Sequence, residues 1–437
     1  MRQPGQVANQ DKTLIFGVVF FLWAVLAGCT KSSNEDSSST ESGAPDQARV
    51  AQATSSVADL PPAVDPTQMP RILDSTPDND FFSKGTIPDF RIEAGEDALR
   101  QLEREPRTFV HVDVMAEEVR YRDVGMHLKG RRGSFRSLES KPGLTLKFNE
   151  FNKGQRFHGL EKIHLNNSVQ DASFMTEIIC SGMFREAGVP AARATNARVT
   201  LNGRRLGFYV LVEGITKDFL RLYFEDPRGN LYDFPYTHDI TSSAVKESKD
   251  RDHSDLRSLA DAANVRDLSK RWQRMGQVLD LDRFISYLAF EVLIWDWDCY
   301  AMCRNNYHVY HDPTSDKLIF MPHGMDQIFD NPKGSILPVM KGLVARSLLE
   351  TPEGRRLYFA RMKLLSEKIF TKERMDQQVA ELQERIGPVL TALNPNAASR
   401  HDRAVVRLQQ RIHQRLESVR QQLGRPPLDP VTSSHFP

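Results

Sequence analysis

The chain has 437 residues, with 58 basic against 57 acidic side chains and a formal net charge of +1. That near-balance argues against a general polyanion binder, and so against a non-specific nucleic-acid protein. Beyond Cys29 only Cys180, Cys299 and Cys303 remain. Export would permit a Cys299–Cys303 disulfide, but an odd thiol is left over, so no disulfide framework holds this fold.

At the N-terminus Lys12 precedes an almost unbroken apolar run from Leu14 to Ala27. Its length suits the apolar region of a signal peptide and is short for a membrane span. It ends in Leu26-Ala27-Gly28-Cys29, a lipobox-like sequence in which the Cys29 thiol takes a diacylglyceryl group and becomes the first mature residue. An uncleaved signal anchor is the alternative. Residues 1–28 are therefore expected to be a lipoprotein signal peptide. Residues 29–80 are rich in Ser, Thr, Asp, Ala and Pro and contain no aromatic residue. Such a segment buries too little apolar surface to offset chain entropy and is expected to be a disordered tether.

From Phe109 the pattern alternates as strands do: Phe109 to Val114, Val124 to Leu128 and Leu144 to Phe148, with the basic glycine-bearing turn Gly130-Arg131-Arg132-Gly133-Ser134 between two of them. Asp171 reads as a helix N-cap ahead of Phe174, Ile178, Met183 and Phe184, with Gly188 and Pro190 as the stop. Ala197 to Leu201 and Gly207 to Val212 flank Asn202-Gly203, a hairpin signal. After Glu213 the chain turns helical: Asp280 to Trp295 is apolar at helical spacing, and Leu348 to Leu423 reads mostly as long amphipathic helix. A second hairpin, Tyr307 to Tyr310 with Leu318 to Met321, interrupts that half. The expected boundaries are a β-rich lobe over 81–213 and a helical lobe over 214–437.

The order of polar residues around the second hairpin carries the chemistry. Asp296 and Asp298 follow an apolar helix, Asn305-Asn306 open the hairpin, and Asp326 follows it. Protein kinases use the same order: an Asp that orients the attacking hydroxyl, an Asn, a small hairpin, then a metal-binding Asp. The hairpin sets the separation of the groups that hold Mg²⁺ against phosphate. Asn305 stands seven positions after Asp298, where the usual kinase loop has about five. Neither His-Arg-Asp nor Asp-Phe-Gly is present. Taken singly, each residue has a plain reading as a turn cap or surface acid.

Several segments together resemble the CotH kinase family, the atypical kinases like spore-coat protein H. They are His164-Leu165-Asn166-Asn167 with Asp171-Ala172-Ser173, and Leu201-Asn202-Gly203 leading to Gly207-Phe208-Tyr209-Val210-Leu211-Val212-Glu213. Trp297-Asp298, Asn305-Asn306-Tyr307 and Pro322-His323-Gly324-Met325-Asp326 complete the set, which spans about Phe109 to Asp330. The resemblance implies an α+β, atypical protein-kinase-like two-lobe fold and ATP-dependent phosphorylation of protein Ser or Thr. Carried over, Asp298 would be catalytic, and Asp326 with Asn305 or Asn306 would hold Mg²⁺ or Mn²⁺. Many members have Trp-Asp-x-Asp where this chain has His323-Gly324-Met325-Asp326, so one carboxylate is replaced by Gly324.

On the phosphate side, Lys141 and Lys147 are the expected phosphate-contacting lysines, with Glu177 as partner. Glu213 falls where a kinase hinge would run, as a structural or nucleotide-facing residue. Arg131, Arg132 and Ser134 form either an anion-binding turn or a solvated basic loop. His308, His311 and His323 raise a metal-hydrolase reading, but their spacing does not match two histidines on one helix face, and a zinc site is set aside. The expected function is an exported, lipid-anchored protein kinase acting on a protein substrate in the cell envelope, bound to a cell or outer membrane and to no nucleic acid. The alternatives are a catalytically silent kinase-fold adhesion or assembly protein, and a metal-dependent phosphohydrolase or nucleotidyl transferase.

Overall fold

Alternating apolar and polar residues in Val110–Ala116 and at the ends of Val119–Lys129, with a longer apolar run in Arg204–Glu213, build the first half of the chain into a barrel. In a computed structural model the residues described are 64–71, 73, 80–131, 133–242, 246–247 and 252–424. The leader, Cys29 and Arg132 lie outside the described residues. The barrel half comprises β1 (Asp89–Ala94), α1 (Glu96–Arg104), β2 (Val110–Ala116), β3 (Val119–Lys129), β4 (Gly143–Lys147), β5 (Lys162–Asn166), α2 (Thr176–Glu186), β6 (Ala194–Leu201) and β7 (Arg204–Glu213). The strands close in the order β1-β2-β3-β4-β5-β7-β6, with β6 returning parallel to β1. Met126, Leu128, Leu144, Leu146, Ile163 and Leu165 point inward and are buried. The polar residues between them, His127 and Lys129 on β3 and Lys162, His164 and Asn166 on β5, therefore lie on the outer face.

The second half runs α3 (Lys217–Tyr223), β8 (Leu231–Asp233), β9 (Lys246–Glu247), α4 (Ser254–Ala263), α5 (Leu268–Val278), α6 (Leu281–Leu293) and α7 (Tyr300–Cys303). It continues with β10 (Tyr307–Asp312), β11 (Lys317–Pro322), α8 (Leu343–Glu350), α9 (Pro352–Lys368), α10 (Lys372–Leu393) and α11 (Pro395–Leu423). The strands form a sheet in the order β11-β10-β8-β9. The protein is thus α+β, β-rich before Glu213 and mainly helical after it. No helix among the described residues is long and apolar enough to cross a membrane.

The structure departs from the local sequence reading in three places. The helix expected from Asp171 starts at Thr176, because Ser173 and Phe174 turn first and Phe174 has φ 58°. Asp171 still serves that helix end: its Oδ2 accepts from the Met175 and Thr176 amides, both at 3.1 Å. The barrel has strands β1 and β5 where the alternation is too short or too polar to read. Part of the expected tether is folded: Val64 and Met69 pack on the helical core, and Arg361 donates to the Asp65 carbonyl at 3.1 Å. Cys180, Cys299 and Cys303 are free thiols, Cys180 and Cys299 buried.

Candidate active site

The loop after α6 folds back on itself. Trp295 takes φ 48°, and the single turn α7 occupies Tyr300 to Cys303. That turn accounts for the long spacing between the acid and the amide: it loops out, so the Asn305 side chain returns to donate to Asp298 Oδ2 at 2.9 Å. Asn306 donates to the same oxygen at 3.1 Å and to the Gly324 carbonyl at 3.2 Å. Asp298 is 9% exposed, and its Oδ1 is buried without a hydrogen-bond partner. Burial pushes its carboxyl up, against the hydrogen bonds from Asn305 and Asn306, which favour the charged form.

The β10–β11 hairpin brings the other end of the motif to the same place. Tyr307 pairs with Pro322, which puts Asn306 against His323 and Gly324. Gly324 has φ +67°, and a Cβ there would lie 3.0 Å from the Asn306 amide. The missing carboxylate thus coincides with a close approach that only glycine permits without a shift.

The Gly324 and Met325 amides hydrogen-bond to Glu177 of α2, which is 4% exposed and has a buried, unpartnered Oε2. Burial raises the Glu177 carboxyl although Lys129 opposes it. Asp326 is pushed up to about 7, by burial first and then by Glu177 and Asp171, again against Lys129. Asp296 is raised well above the carboxylate range by burial and by Glu291, Asp298 and Asp326, and its Oδ1 also lacks a partner. Four carboxyl groups therefore crowd one region, with too little positive charge to keep all of them ionised.

The cation that meets this cluster is Lys129, at the end of β3, and the sequence reading passed it over. Its ammonium donates to Asn166 Oδ1 at 2.5 Å. Burial pulls it down to about 8, against the attraction of Glu177 and Asp326. The signal was there to be read, because Lys129 lies on the polar phase of β3 immediately before Gly130. Arg131, in the turn that follows, is close enough to favour ionised Asp298. Arg131 also accepts two amides on its carbonyl, from Ser134 at 3.0 Å and Phe135 at 2.8 Å, which closes that turn.

The remaining candidates are committed elsewhere. Lys141 donates to the Asn167 carbonyl at 2.8 Å, and its ammonium lies 5.0 Å and 4.8 Å from the Phe174 and Tyr209 ring centres. Burial drops it to about 7. Lys147 pairs with Glu150 at 2.7 Å. Glu213 is bound by Arg193 through Nε at 2.9 Å and Nη2 at 2.6 Å, and Arg193 also holds Asp80 at 2.7 Å. Every oxygen of Glu213 is thereby used inside the fold. The structure brings Asp298, Asn305, Asn306, Glu177 and Asp326 together and leaves Lys141, Lys147 and Glu213 in other contacts.

The donor set suits a hard divalent cation. Carboxylate and amide oxygens are the ligands Mg²⁺ prefers, and the orphaned buried oxygens of Glu177, Asp296 and Asp298 show a site short of positive partners. The profile of the family described as CotH kinase protein matches residues 129–419, so the chain belongs to that family. It is 22% identical over 278 residues to the inner spore coat protein H of Bacillus subtilis, covering 58% of this chain and 76% of that protein. It is also 25% identical over 204 residues to the invasin CotH3 of Rhizopus delemar, covering 41% of this chain and only 32% of the invasin. Among solved structures, the HipA–HipB–operator complex of Shewanella oneidensis aligns at a TM-score of 0.34 and 13% identity, over 77% of this chain and 74% of that one. The proinflammatory kinase CtkA of Helicobacter pylori aligns at 0.25 and 8%, over 68% of this chain and 96% of CtkA. Both scores are too low to bear on the chemistry.

Proposed function

We propose that this protein is an exported, lipid-anchored atypical kinase that transfers the γ-phosphoryl group of ATP to Ser or Thr hydroxyls of a protein in the cell envelope. The observation that carries the reading is the meeting of Asp298, Asn305 and Asn306 with Asp326, Glu177 and Lys129 around the Gly324 turn. Membership in a kinase family supports it, and the leader ending in Cys29 supports the anchoring.

In this reading Asn305 and Asn306 hold Asp298 by one oxygen, leaving Oδ1 to accept the proton of the attacking hydroxyl. The new bond joins that hydroxyl oxygen to the γ-phosphorus, the bond to the β-phosphate oxygen breaks, and ADP leaves. Asp326 and the Asn305 carbonyl oxygen are the residues that would hold Mg²⁺ or Mn²⁺, which when bound neutralises phosphate charge. Lys129 neutralises a phosphate oxygen, and Glu177 fixes Lys129 and the Gly324–Met325 backbone. Most of the rate gain then comes from positioning and charge.

One observation favours a second reading. The close approach at Gly324 removes a carboxylate that many relatives have, which suits a catalytically silent kinase-fold adhesion or assembly protein. The two readings separate on incubation of the full chain with γ-labelled ATP and Mg²⁺ or Mn²⁺, beside Asp298→Ala and Asp326→Ala. The kinase reading expects label on protein that falls by about 10²–10⁴-fold in Asp298→Ala. Absence of label together with absence of metal-dependent ATP binding would leave the silent reading.

A further inference from the structure

Two of the three histidines set aside on their sequence spacing, His308 and His323, are reunited by strand pairing, whereas His311 pairs with Asp255 and Asp316. On the β8–β10–β11 sheet, His308 is paired directly with Asp233, and Met321 of β11 lies opposite His308. His323 stands two residues beyond Met321, on the same face of the sheet as His308. The two imidazole rings lie 4.6 Å apart at 56° to each other. His308 Nε2 is 3.9 Å from Asp233 Oδ1, and one ligand atom from each of the three side chains falls within 4.8 Å of the others. His308 Nδ1 is buried with no hydrogen-bond partner.

We propose that Asp233, His308 and His323 form a second metal site, selective for a divalent transition ion of the zinc class. It is separate from the oxygen-lined site at Asp326 and does not depend on the kinase reading. Two imidazoles and one carboxylate are the donor set of three-ligand zinc sites that keep a position open, whereas Mg²⁺ rarely takes imidazole. Ligand atoms around a tetrahedral zinc lie about 3.4 Å apart, so closure from the observed spacing needs shifts of about 1 Å in side chains that are only partly buried. Lys162 of β5 is close enough to act electrostatically on both Asp233 and His308, so its ammonium competes with the ion for the same charge.

The placement gives the ion a structural consequence. Asp233 ends β8, His308 lies in β10, and His323 stands three residues before Asp326. An ion held by all three ties β8 and β10 to the segment that carries Gly324 and Asp326. His323 stands at the position where many relatives have the tryptophan of Trp-Asp-x-Asp.

The test is Zn²⁺ binding to the full chain, without nucleotide, by competition with a chromophoric chelator. The variants are His308→Gln, His323→Gln, Asp326→Asn and, as a distant control, His111→Gln. The proposal expects one Zn²⁺ per chain, affinity at least about tenfold weaker in His308→Gln and in His323→Gln, and no change in Asp326→Asn or His111→Gln. X-ray absorption at the zinc edge should show two imidazole nitrogens. Circular dichroism of each variant without metal separates lost ligation from lost folding. Equal affinity in all variants, no binding, or an oxygen-only zinc shell would overturn the proposal. Unchanged zinc binding in a chain that neither labels protein nor binds ATP with metal would leave this site standing and remove the kinase reading.

Discussion

Two groups of buried charge in this molecule are built on opposite principles. Around Arg193 every charge is answered: Glu213 takes the guanidinium with both oxygens, and Asp80 takes a third nitrogen. Around Gly324 the carboxyls of Glu177, Asp296, Asp298 and Asp326 crowd together, three of them keep an oxygen without a partner, and Lys129 is the cation that meets Glu177 and Asp326. Both groups cost desolvation. The first recovers it within the fold, whereas the second recovers it only by protonation or by a ligand carrying positive charge. A satisfied buried ion pair therefore marks architecture, and an unsatisfied one marks a site.

The sharpest way to break this contrast is at Arg193. Arg193→Ala leaves Glu213 buried and unpaired, and should cost about 3–5 kcal/mol of stability. Denaturant titration measures it. At a temperature where the variant remains folded, nucleotide affinity should be unchanged. A stable variant that has lost nucleotide binding would instead return Glu213 to the site.

Lysines of the two kinds can be set against each other in the same way. Lys129→Met should weaken metal–ATP binding by roughly 10²-fold, the size expected when one desolvated charge contact to phosphate is lost. Lys141→Met, at a lysine spent on the Asn167 carbonyl and two rings, should chiefly lower the melting temperature. Equilibrium binding of ATP with Mn²⁺, read beside thermal melts, separates them, and the opposite pattern would restore Lys141 as the phosphate contact.

The unsatisfied group should also titrate. Asp326 is raised to about 7, so below that pH it carries a proton that a metal must displace. Metal–nucleotide affinity should fall about tenfold per unit as pH drops below about 7. For the metal-free fold the sign is reversed. A carboxyl raised above its unfolded value adds stability at low pH, and that stability is lost as pH rises through the folded value. Asp326→Asn should flatten both dependences. A pH-independent affinity in the unsubstituted protein would mean that Asp326 is not a ligand.

The smallest effect expected is at the turn. Gly324→Ala places a Cβ at φ +67° and 3.0 Å from Asn306, and should cost about 1 kcal/mol. A larger loss of activity than of stability would show that the Asn306–Gly324 contact positions Asp298.

Much was legible along the chain because it is local. Alternation in β2, β4 and β7, the Asn202-Gly203 turn, the apolar spacing of α6 and the hairpin β10–β11 all follow from side-chain periodicity and turn chemistry. The order Asp298, Asn305, Asn306, Asp326 was equally visible, since a hairpin between two motifs is itself local. Strands β1 and β5 were missed because each is short and carries only two large apolar residues, Phe90 and Ile92 in β1 and Ile163 and Leu165 in β5, too few for the alternation to stand out. The parallel pairing of β1 to β6 is a distant contact that no local pattern announces. Lys129 was missed because the phase of β3 shows which residues face outward, but not what stands across from them.

By itself the sequence determined the class of the fold, the hairpins and the set of polar residues around the second one, all through interactions within a few residues. Only the tertiary structure decided which lysine meets the acids, that Glu213 belongs to Arg193, and that His308 and His323 converge beside Asp233. Those outcomes depend on strand register and on burial. A pairing register sets which side chains share a face, and desolvation then decides which of them remain charged.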